Sequence, residues 1–442
     1  LKYSGSIIQW SGGIGLLFKN ITVLRADGTM LENVNVAVKD GRFFSIGKEL
    51  PWGEWDSYDG SGRLLMPGMV NAHTHVPMTL MRGYGDDMQL DRWLFDRIFP
   101  FEDKLTGEDV YWGSLLGIAE MLASGTTSFS DMYYFCDRIA QAVIESGIKA
   151  NIGRGISCFD KSKRFNDLPA FHEMSELIDS YHGEAEGRVL IDAAPHSEYT
   201  TRPDILSDVA DFAASRNLRV QLHLSETNKE QLECVGRHGK TPTIVMKDTG
   251  LLNLPVTAAH CVWLSDIDME VLAECGVNIA HCPQSNLKLA SGIARVDKMK
   301  KLGLNVALGT DSAASNNNLD MIEEMRTAAL LAKGITQDPC VLPAGDALYM
   351  ATRAGALSQG RTDCGDILDG YRADFVVLNL NSSEMTPNHS TLSNVVYASC
   401  RSNVEMTVVD GHVLYCKGEY LTMDIERIMH ETAGRVNSML AR

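Results

Sequence analysis

The sequence lacks any apolar run approaching the ~18–20 residues that a membrane helix requires, so no membrane span is expected. It also lacks an excess of basic residues. The formal net charge is −17, which would repel the phosphates of nucleic acids and anionic membranes alike. The first residues, Leu1 to Gly13, show no basic stretch followed by an apolar one, so no secretory signal peptide is expected. These absences argue against a membrane protein and against a nucleic-acid-binding protein.

No C-x-x-C pair occurs among the ten cysteines, which lie singly between Cys136 and Cys416. In a chain of 442 residues this spacing favours reduced, mostly buried thiols and a cytoplasmic location. The alternative is an extracellular protein in which a few of the cysteines pair. Hydrophobic residues make up 45% and charged residues 22%, which is typical of a globular protein able to bury a large core.

Both ends of the chain have the pattern of short β-strands separated by turns, with turn signals such as Asp27-Gly28 and Asp410-Gly411. The two ends are therefore predicted to form one small β-sandwich, contributed by residues 1–66 and by residues 366–442, which also carry a C-terminal helix. Residues 67–365 would be inserted between them. The predicted strands are Leu16–Leu24, Val34–Val38, Phe43–Ile46, Ala373–Leu380, Val395–Ala398 and Val404–Val409.

The inserted part alternates apolar, strand-like runs with helical stretches. Eight such runs over about 300 residues predict an α/β fold, a (β/α)₈ TIM-like barrel. The alternative is an open doubly wound sheet, but no G-x-G-x-x-G follows the first strand to support it. The predicted strands are Leu65–His75, Thr126–Met132, Lys149–Ile156, Val189–Ser197, Val220–Glu226, Val256–Leu264, Val277–Asn286 and Val306–Ala313. The helices predicted between them include Leu105–Ala123, Asp137–Gly147, Pro203–Arg216 and Ile267–Cys275.

Histidines and an aspartate lie at the ends of four of these predicted strands. His73 and His75 close the first strand two residues apart, so both imidazoles point to one face. His223, His260 and Asp311 close the fifth, sixth and eighth strands. Each could instead be a hydrogen-bonded structural residue, and Asp311 could cap the next helix. Because active sites of barrels lie at the carboxyl ends of the strands, their joint placement predicts one shared site.

The set His73, His75, His223 and Asp311 fits a catalytic metal site, which typically has three or four protein ligands and one position open to water. Histidine with carboxylate suits Zn²⁺, with Fe²⁺ or Mn²⁺ as alternatives. Such an ion lowers the pKa of bound water from about 15.7 to about 7. A pair of metals would usually need a bridging group such as a carbamylated lysine. The fourth strand ends Pro195-His196-Ser197 without a lysine, so one divalent metal ion is predicted.

Glu226 follows His223 by three residues, just beyond the strand end. A carboxylate there could carry a proton from the nucleophile to the substrate, as a general acid–base does. The alternative is that Glu226 only marks the entry to the next helix, before Thr227 and Asn228.

With these residues in place, the chain resembles the 5′-methylthioadenosine/S-adenosylhomocysteine deaminases of the amidohydrolase superfamily, which are related to triazine chlorohydrolases. The resemblance covers nearly the whole chain. It rests on Pro67-Gly68-Met69-Val70-Asn71-Ala72-His73-Thr74-His75, Pro77-Met78-Thr79-Leu80-Met81-Arg82-Gly83, His223 to Glu226, Ala259-His260-Cys261, Ser285-Asn286-Leu287-Lys288-Leu289, and Gly309-Thr310-Asp311 up to Asn317.

The resemblance implies a barrel flanked by a β-sandwich built from both chain ends, and the same four metal ligands. It makes His260 a group that positions or polarises the nucleophile. It also implies that Glu226 protonates the ring nitrogen next to the carbon under attack. Asp311 would take a proton from water and pass it to departing ammonia.

The resemblance further implies which residues bind substrate. Trp93 would shape the pocket, Glu102 would hold ribose hydroxyls, and His196 would bond the nucleoside. Arg154 would meet an amino-acid carboxylate, as a bidentate guanidinium can. Arg164 is the nearest candidate for a second arginine, although its spacing differs from the family pattern and its alternative is a solvent-exposed charge.

Together these points predict a metal-dependent hydrolytic deaminase of an adenosine-type nucleoside. One alternative keeps the chemistry and changes the substrate to guanine, a pterin or a chlorinated triazine. Another is a non-catalytic scaffold that keeps the barrel and binds protein partners, although no expected ligand is missing. The resemblance also suggests a homo-oligomer.

Overall fold

The structure, a computed structural model, describes residues 15–441 and every side chain among them except that of Asp91. The stretch Leu1 to Gly13, where no signal peptide is expected, lies outside the described residues. The strands before the barrel are β1 Gly15–Leu24, β2 Met30–Lys39, β3 Arg42–Gly47, β4 Trp55–Asp59 and β5 Arg63–Pro67. Those of the barrel are β6 Met69–Thr74, β7 Thr126–Tyr133, β8 Lys149–Ile156, β9 Val189–Pro195, β10 Val220–Leu224, β11 Val256–His260, β12 Asn278–His281 and β13 Asn305–Leu308. Those after it are β14 Phe375–Asn379, β15 Val404–Val409, β16 His412–Cys416 and β17 Glu419–Tyr420.

The first sheet joins the two chain ends. Its strand order is β17-β16-β15-β14-β5-β1-β2-β3, with β4 also paired to β1. The junction between the two ends is the antiparallel pair β14 and β5, in which Phe375 lies opposite Pro67. In its core, the ring of Phe18 packs edge-on and that of Phe43 packs tilted against the ring of Phe375. The shared sheet predicted for the two ends is therefore present, whereas the boundaries after residues 66 and 365 stay predictions.

The second sheet contains the eight strands β6 to β13, each paired in parallel with its neighbour in sequence. Hydrogen bonds bridge the first and last strands, from the amide of Asp311 to the carbonyl of His73 at 3.0 Å. A second runs from the amide of Thr310 to the side-chain oxygen of Asn71 at 2.9 Å. The nearly closed barrel confirms the predicted α/β fold and removes the open sheet as an alternative.

Of the α-helices in residues 15–441, twelve lie in sequence between barrel strands and five follow the last one. The helix Cys136–Ser146 packs on β8, and Ile425–Ala441 packs on the helix Gly107–Ala123. The four helices predicted by name end within two residues of their predicted bounds. A π-helical turn, Leu94–Ile98, joins the first two helices. The α-helices are α1 Leu90–Trp93, α2 Phe99–Glu102, α3 Gly107–Ala123, α4 Cys136–Ser146, α5 Pro169–Tyr181, α6 Glu184–Gly187, α7 Pro203–Ser215, α8 Asn228–His238, α9 Pro242–Asp248, α10 Asp266–Glu274, α11 Pro283–Lys288, α12 Val296–Lys301, α13 Met321–Thr336, α14 Ala344–Ala351, α15 Arg353–Ser358, α16 Thr391–Tyr397 and α17 Ile425–Ala441.

The predicted strand Leu65–His75 is wrong as a single element, because the chain changes sheets at Gly68. Residues up to Pro67 pair with β14 in the first sheet, and Met69 begins the barrel opposite Thr126. A Cβ at Gly68 would lie 2.3 Å from the side chain of Thr127. The missing side chain of Gly68 therefore allows its backbone to approach Thr127 closely. At this point a single run of apolar residues leaves the first sheet and enters the second.

The predicted strand Val395–Ala398 is also wrong: these residues end helix α16. Ser390 caps that helix by accepting a hydrogen bond from the amide of Ser393 at 3.3 Å. Thr391 and Val395 are both buried, four residues apart, so a helix places them on one face toward the core. Tertiary packing outweighs the strand preference of the β-branched pair here.

Five further predicted barrel strands are too long at their carboxyl ends, the fourth and fifth by two residues and the last three by four or five. The last three barrel strands end at His260, His281 and Leu308, so the chemically important residues lie at or just beyond the ends. Pro283 begins helix α11, where its missing N–H costs no hydrogen bond. Apolar residues in the following loops had extended the pattern beyond the true strand ends.

All ten cysteines are free thiols, and six of them are buried. The prediction that most of the thiols are buried is thus confirmed, whereas their reduced state stays a prediction. Within residues 15–441, none of the helices has the length and apolar character needed to cross a membrane.

A buried cluster of charges joins the amino-terminal side of the barrel to the first sheet. The ammonium of Lys149, at the start of β8, lies 2.5 Å from Asp374 and 2.7 Å from Asp410. Arg372 contacts Asp410 at 3.2 Å. The lysine side chain is only 2% exposed, so its charge balances carboxylates that water cannot solvate.

Replacing Lys149 with Met should lower the free energy of unfolding by about 3–5 kcal/mol, because it removes the ammonium partner of buried Asp374 and leaves Asp410 with Arg372 alone. Urea denaturation followed by circular dichroism would measure the change. The exposed Lys247→Met variant is the matched control and should stay within about 0.5 kcal/mol of the wild type. Equal stabilities for the two variants would refute the proposed contribution of this cluster.

Candidate active site

The predicted site residues come together at the carboxyl ends of the barrel strands. The imidazole nitrogens of His73, His75 and His223 form one group of ligand atoms within 4.8 Å of one another. Those of His73 and His260 form a second group with a carboxylate oxygen of Asp311. His73 belongs to both groups, so four strands present their ends to one point.

The backbone at these strand ends is unusual. Ser225, His260, Cys261 and Asp311 all have positive φ angles, between 49° and 70°. For residues other than glycine this conformation is uncommon and energetically costly, and it concentrates at functional sites. These residues lie at or just beyond the carboxyl ends of β10, β11 and β13, where the candidate ligands meet.

Gly309 makes the approach of β13 to β6 possible. A Cβ at this position would lie 2.8 Å from the amide nitrogen of His73 and 3.0 Å from its carbonyl oxygen. Any other residue would push the last strand away from the first. Asp311, two residues later, can therefore reach the histidines on β6.

Hydrogen bonds fix which nitrogen each imidazole turns toward the centre. Nδ1 of His75 lies 2.5 Å from the carbonyl oxygen of Met132, and Nδ1 of His223 lies 3.1 Å from that of His196. Since a carbonyl only accepts, both Nδ1 atoms carry the proton and both Nε2 atoms expose a lone pair. Outer partners of this kind commonly orient metal-binding histidines.

The two lone pairs face each other: Nε2 of His75 lies 3.3 Å from Nε2 of His223. Two neutral imidazoles with this tautomer cannot hydrogen-bond, but a cation between them satisfies both. Ligand atoms on a tetrahedral zinc at about 2.1 Å are about 3.4 Å apart, which matches this spacing. The buried Nε2 of His73 also has no hydrogen-bond partner among residues 15–441. The donor set therefore fits a divalent metal ion.

Asp311 faces the cluster with one carboxylate oxygen. Its Oδ2 accepts hydrogen bonds from Ser285 at 2.6 Å and Ser315 at 2.9 Å. Its Oδ1 lies 3.4 Å from Nε2 of His75 and 3.7 Å from Nε2 of His73. The two serines thus leave one oxygen directed at the histidines.

The protonation states also suit a cation site. Burial lowers the pKa of His73 and of His223 well below the ordinary value, so both are neutral. Burial alone would raise the pKa of Asp311, but the nearby histidines and the hydrogen bond from Ser285 lower it to about 2. Neutral imidazoles and an ionised carboxylate are the forms in which these groups bind metals.

Glu226 and His260 form a second, adjacent pair. The carboxylate of Glu226 lies 3.9 Å from Nε2 of His260, and its other oxygen accepts a hydrogen bond from Ser291 at 3.3 Å. Burial raises the pKa of Glu226. Burial would lower the pKa of His260, but Glu226 and Asp311 hold it above its ordinary value. A carboxyl group with a raised pKa beside the cluster is suited to act as a general acid as well as a general base.

Glu230 holds the turn that carries Glu226. Its two carboxylate oxygens accept the amides of Ser225 and Glu226, at 2.9 and 2.7 Å. On the other side, Asn286 contacts Nδ1 of His260 at 3.0 Å. The side chains of the Glu226–His260 pair are therefore positioned by groups outside the cluster.

A cavity of about 980 Å³ opens from the cluster toward solvent. Four of the five residues predicted to bind substrate line it: Trp93, Glu102, Arg154 and His196. Burial raises the pKa of Glu102 to about 7, although the Tyr133 hydroxyl and His75 act to lower it. Burial lowers the pKa of His196 to about 3, so it is neutral. The cavity is large enough for a nucleoside-sized ligand.

Arg164 is the exception. Its side chain is 74% exposed, lies 3.5 Å from Asp204, and does not line the cavity. The turn 165–167 that follows it directs the chain along the surface. In the structure Arg164 is therefore a solvent-exposed charge, which was the alternative to a role in binding substrate.

Several residues at the site had no role predicted from the sequence. Ser285 and Asn286 lie within a motif of the family resemblance, yet their contacts to Asp311 and His260 appear only in the folded chain. Tyr133 ends β7, and the rule that barrel strands end at the active site could have found it. Glu173 reaches the cavity from helix α5, and no pattern in the sequence indicates it.

Comparison with known proteins agrees with this geometry. Residues 64–414 match the model of the amidohydrolase family. The chain is 45% identical over 386 residues to a protein of Dictyoglomus thermophilum named 5-methylthioadenosine/S-adenosylhomocysteine deaminase, covering 87% of this chain and 89% of that one.

Solved structures are similar over nearly the whole length. An adenosine deaminase from Xanthomonas campestris with bound zinc has a TM-score of 0.92 at 33% identity, covering 97% of this chain and 99% of that one. An atrazine chlorohydrolase from Arthrobacter aurescens complexed with zinc has a TM-score of 0.88 at 23% identity, covering 95% and 100%. The second likeness concerns the fold alone.

Proposed function

The chain belongs to the amidohydrolase family, and on that premise we propose that it is a metal-dependent hydrolytic deaminase of adenosine-type nucleosides. The observation that carries the proposal is the meeting of His73, His75, His223 and Asp311 with the Glu226–His260 pair at the base of the cavity. The deaminase names of the Dictyoglomus thermophilum and Xanthomonas campestris relatives support the substrate class. The reaction replaces the exocyclic amino group of the purine with oxygen and releases ammonia.

His73, His75, His223 and Asp311 are proposed to hold one divalent ion, with Zn²⁺ as the first choice. When bound, the ion would supply Lewis-acid activation of water at neutral pH. Bound zinc in the Xanthomonas campestris structure supports this choice of metal. His260 also lies within ligand distance of His73 and Asp311, but its contacts to Glu226 and Asn286 favour a positioning role.

Protons are moved by Glu226 and Asp311. Glu226, buried beside the cluster, delivers a proton to the purine ring nitrogen next to the carbon under attack, which makes that carbon more electrophilic. Asp311 takes one proton from the attacking water and passes it to the departing amine, and the second water proton returns to Glu226 as the carbon–oxygen double bond forms and the carbon–nitrogen bond breaks. The hydrogen bonds from Ser285 and Ser315 hold Oδ2 of Asp311 during both of its transfers.

The cavity walls bind the nucleoside. Glu102 accepts hydrogen bonds from ribose hydroxyls, Trp93 shapes the pocket, and His196 contacts the nucleoside with its ring. Nδ1 of His196 lies 3.1 Å from the hydroxyl of Ser197 and 3.3 Å from the hydroxyl of Thr200. These hydroxyls fix its ring plane beside His223, with which it stacks at 4.4 Å.

Ammonia release from S-adenosylhomocysteine, 5′-methylthioadenosine, adenosine and guanine tests the proposal directly. Zinc-loaded protein should release ammonia from at least one adenosine-type nucleoside and give the inosine-type product. Activity on guanine alone would replace the proposed substrate class, and no activity on any compound would contradict the proposed function.

The affinity for substrate should depend on pH through Glu102. Its carboxylate, the better acceptor for ribose hydroxyls, predominates above its pKa of about 7 and is lost as the pH falls through that value. We expect KM to rise about tenfold between pH 8 and pH 6, as for a single group whose protonated form binds poorly. Initial rates across this range would measure the effect. A Glu102→Gln variant should show a higher but nearly constant KM, and a slope retained by this variant would contradict the assignment.

A cytoplasmic location and assembly into a homo-oligomer stay predictions. The ten free thiols support the former, because oxidising compartments favour paired cysteines.

A further inference from the structure

Arg154, which lines the cavity, is already paired with a carboxylate of the protein. Its Nε donates a hydrogen bond to Glu173 of helix α5, and its Nη1 donates one to the carbonyl of Gly155. The guanidinium also lies over the ring of Tyr134, 4.9 Å from its centre. The side chain of Arg154 is 14% exposed and that of Glu173 is 50% exposed. The charge of the arginine is thus met on the solvent side by Glu173.

The surroundings do not favour a further anion. Glu176, one turn along α5, lines the same cavity and adds a second negative charge. Two phenylalanines, Phe135 and Phe159, also line it and are 42% and 69% exposed. The cavity wall therefore combines exposed apolar surface, an arginine whose charge is met by Glu173, and the further carboxylate of Glu176.

We propose that Glu173 is a specificity-determining residue which, by holding Arg154, makes the cavity favour nucleosides with an uncharged 5′ substituent over those ending in a carboxylate. The inference rests on the proposed function. A substrate carboxylate must either displace Glu173 from Arg154 or lie beside it, and both cost free energy. An apolar thioether substituent meets no such cost and gains contact with the exposed phenylalanines. On this proposal, Arg154 binds a substrate carboxylate readily only in a variant in which Glu173 has been replaced.

The test compares 5′-methylthioadenosine with S-adenosylhomocysteine, which carries a carboxylate and an ammonium group. The wild-type protein should have the higher kcat/KM for the former. In a Glu173→Gln variant, the kcat/KM for S-adenosylhomocysteine should rise about three- to fivefold relative to that for 5′-methylthioadenosine, the range that a partly exposed ion pair supports.

Two further variants serve as controls. Glu176→Gln removes a charge from the same helix without touching Arg154, and its substrate ratio should rise clearly less than that of Glu173→Gln. Arg154→Gln combined with Glu173→Gln should lose the gain of the single variant, because the freed guanidinium is what captures the carboxylate. Thermal unfolding of each variant checks that the fold is retained.

Three results would overturn the inference, and a fourth would contradict the proposed function as well. An unchanged ratio in Glu173→Gln, or an equal change in Glu176→Gln, overturns the inference while leaving the deaminase function intact. A fall in activity on S-adenosylhomocysteine also overturns it, since Glu173 would then bind the substrate ammonium. Ammonia released from neither nucleoside by the zinc-loaded wild type would contradict the proposed function, and the inference with it.

Discussion

Replacing Glu226 with Gln should lower the turnover number for nucleoside deamination by about 10²–10⁴, the usual contribution of a general acid–base. The amide keeps the size of the side chain and its contact to Ser291, but it cannot deliver a proton to the ring nitrogen. KM should change much less than kcat, because the lost interaction belongs to proton transfer. Steady-state ammonia release gives both constants.

The exposed Glu233→Gln variant on helix α8 is the matched control and should retain the wild-type rate. Binding of the inosine-type product, measured by calorimetry, should be similar in the Glu226 variant and the wild type if the cavity is intact. A wild-type rate in Glu226→Gln would end its assignment as the proton carrier. The residue would then be only the start of the turn that precedes α8.

Removal of the metal is the second change with a large expected effect. Dialysis against a chelator should lower activity by about 10³ or more, because water at the site then keeps its ordinary, high pKa. Added Zn²⁺ should restore the activity of the wild type. The rate after each step, together with the metal content of the protein, provides the measurement.

Two histidine variants test whether the metal dependence of the activity arises at this cluster. His75→Ala removes one of the two imidazoles whose lone pairs face each other, so Zn²⁺ should not restore its activity. His389→Ala changes an exposed histidine far along the chain and should be restored like the wild type. Full activity in chelated protein, or rescue of both variants alike, would contradict the proposed role of the cluster.

The centre of the site could be predicted from the sequence because two simple rules fix it. Alternation along a strand places His73 and His75 on one face, and parallel barrel strands end at one rim. Residues more than two hundred positions apart, such as His73 and Asp311, therefore meet without any knowledge of the loops. Their meeting can be predicted from the sequence pattern because it depends only on the backbone geometry of the strands.

The groups that orient the centre could not be predicted in the same way. Ser285 reaches Asp311 from helix α11, and Glu173 reaches Arg154 from α5, through contacts made only by side chains in the folded chain. Arg164 illustrates the reverse case, since its residue type suggested carboxylate binding but its turn directs it to solvent. The periodicity of a sequence specifies which face of a helix or strand is buried, but not which side chains of other segments contact that face.

The fold showed the same division. The barrel and the sheet shared by both chain ends follow from alternating patterns and turn signals, and both are present. The change of sheet at Gly68 and the helix containing Val395 follow instead from tertiary contacts. An apolar β-branched run looks the same in sequence whether it lies in one sheet, in two sheets or in a helix.

Anomalous X-ray diffraction at the zinc edge, on crystals of zinc-loaded protein, tests the central claim most directly. We predict one divalent ion per chain, at about 2.0–2.2 Å from imidazole nitrogens of His73, His75 and His223 and from a carboxylate oxygen of Asp311. An anomalous peak elsewhere, two peaks at the barrel mouth, or no peak in protein that is active would contradict it.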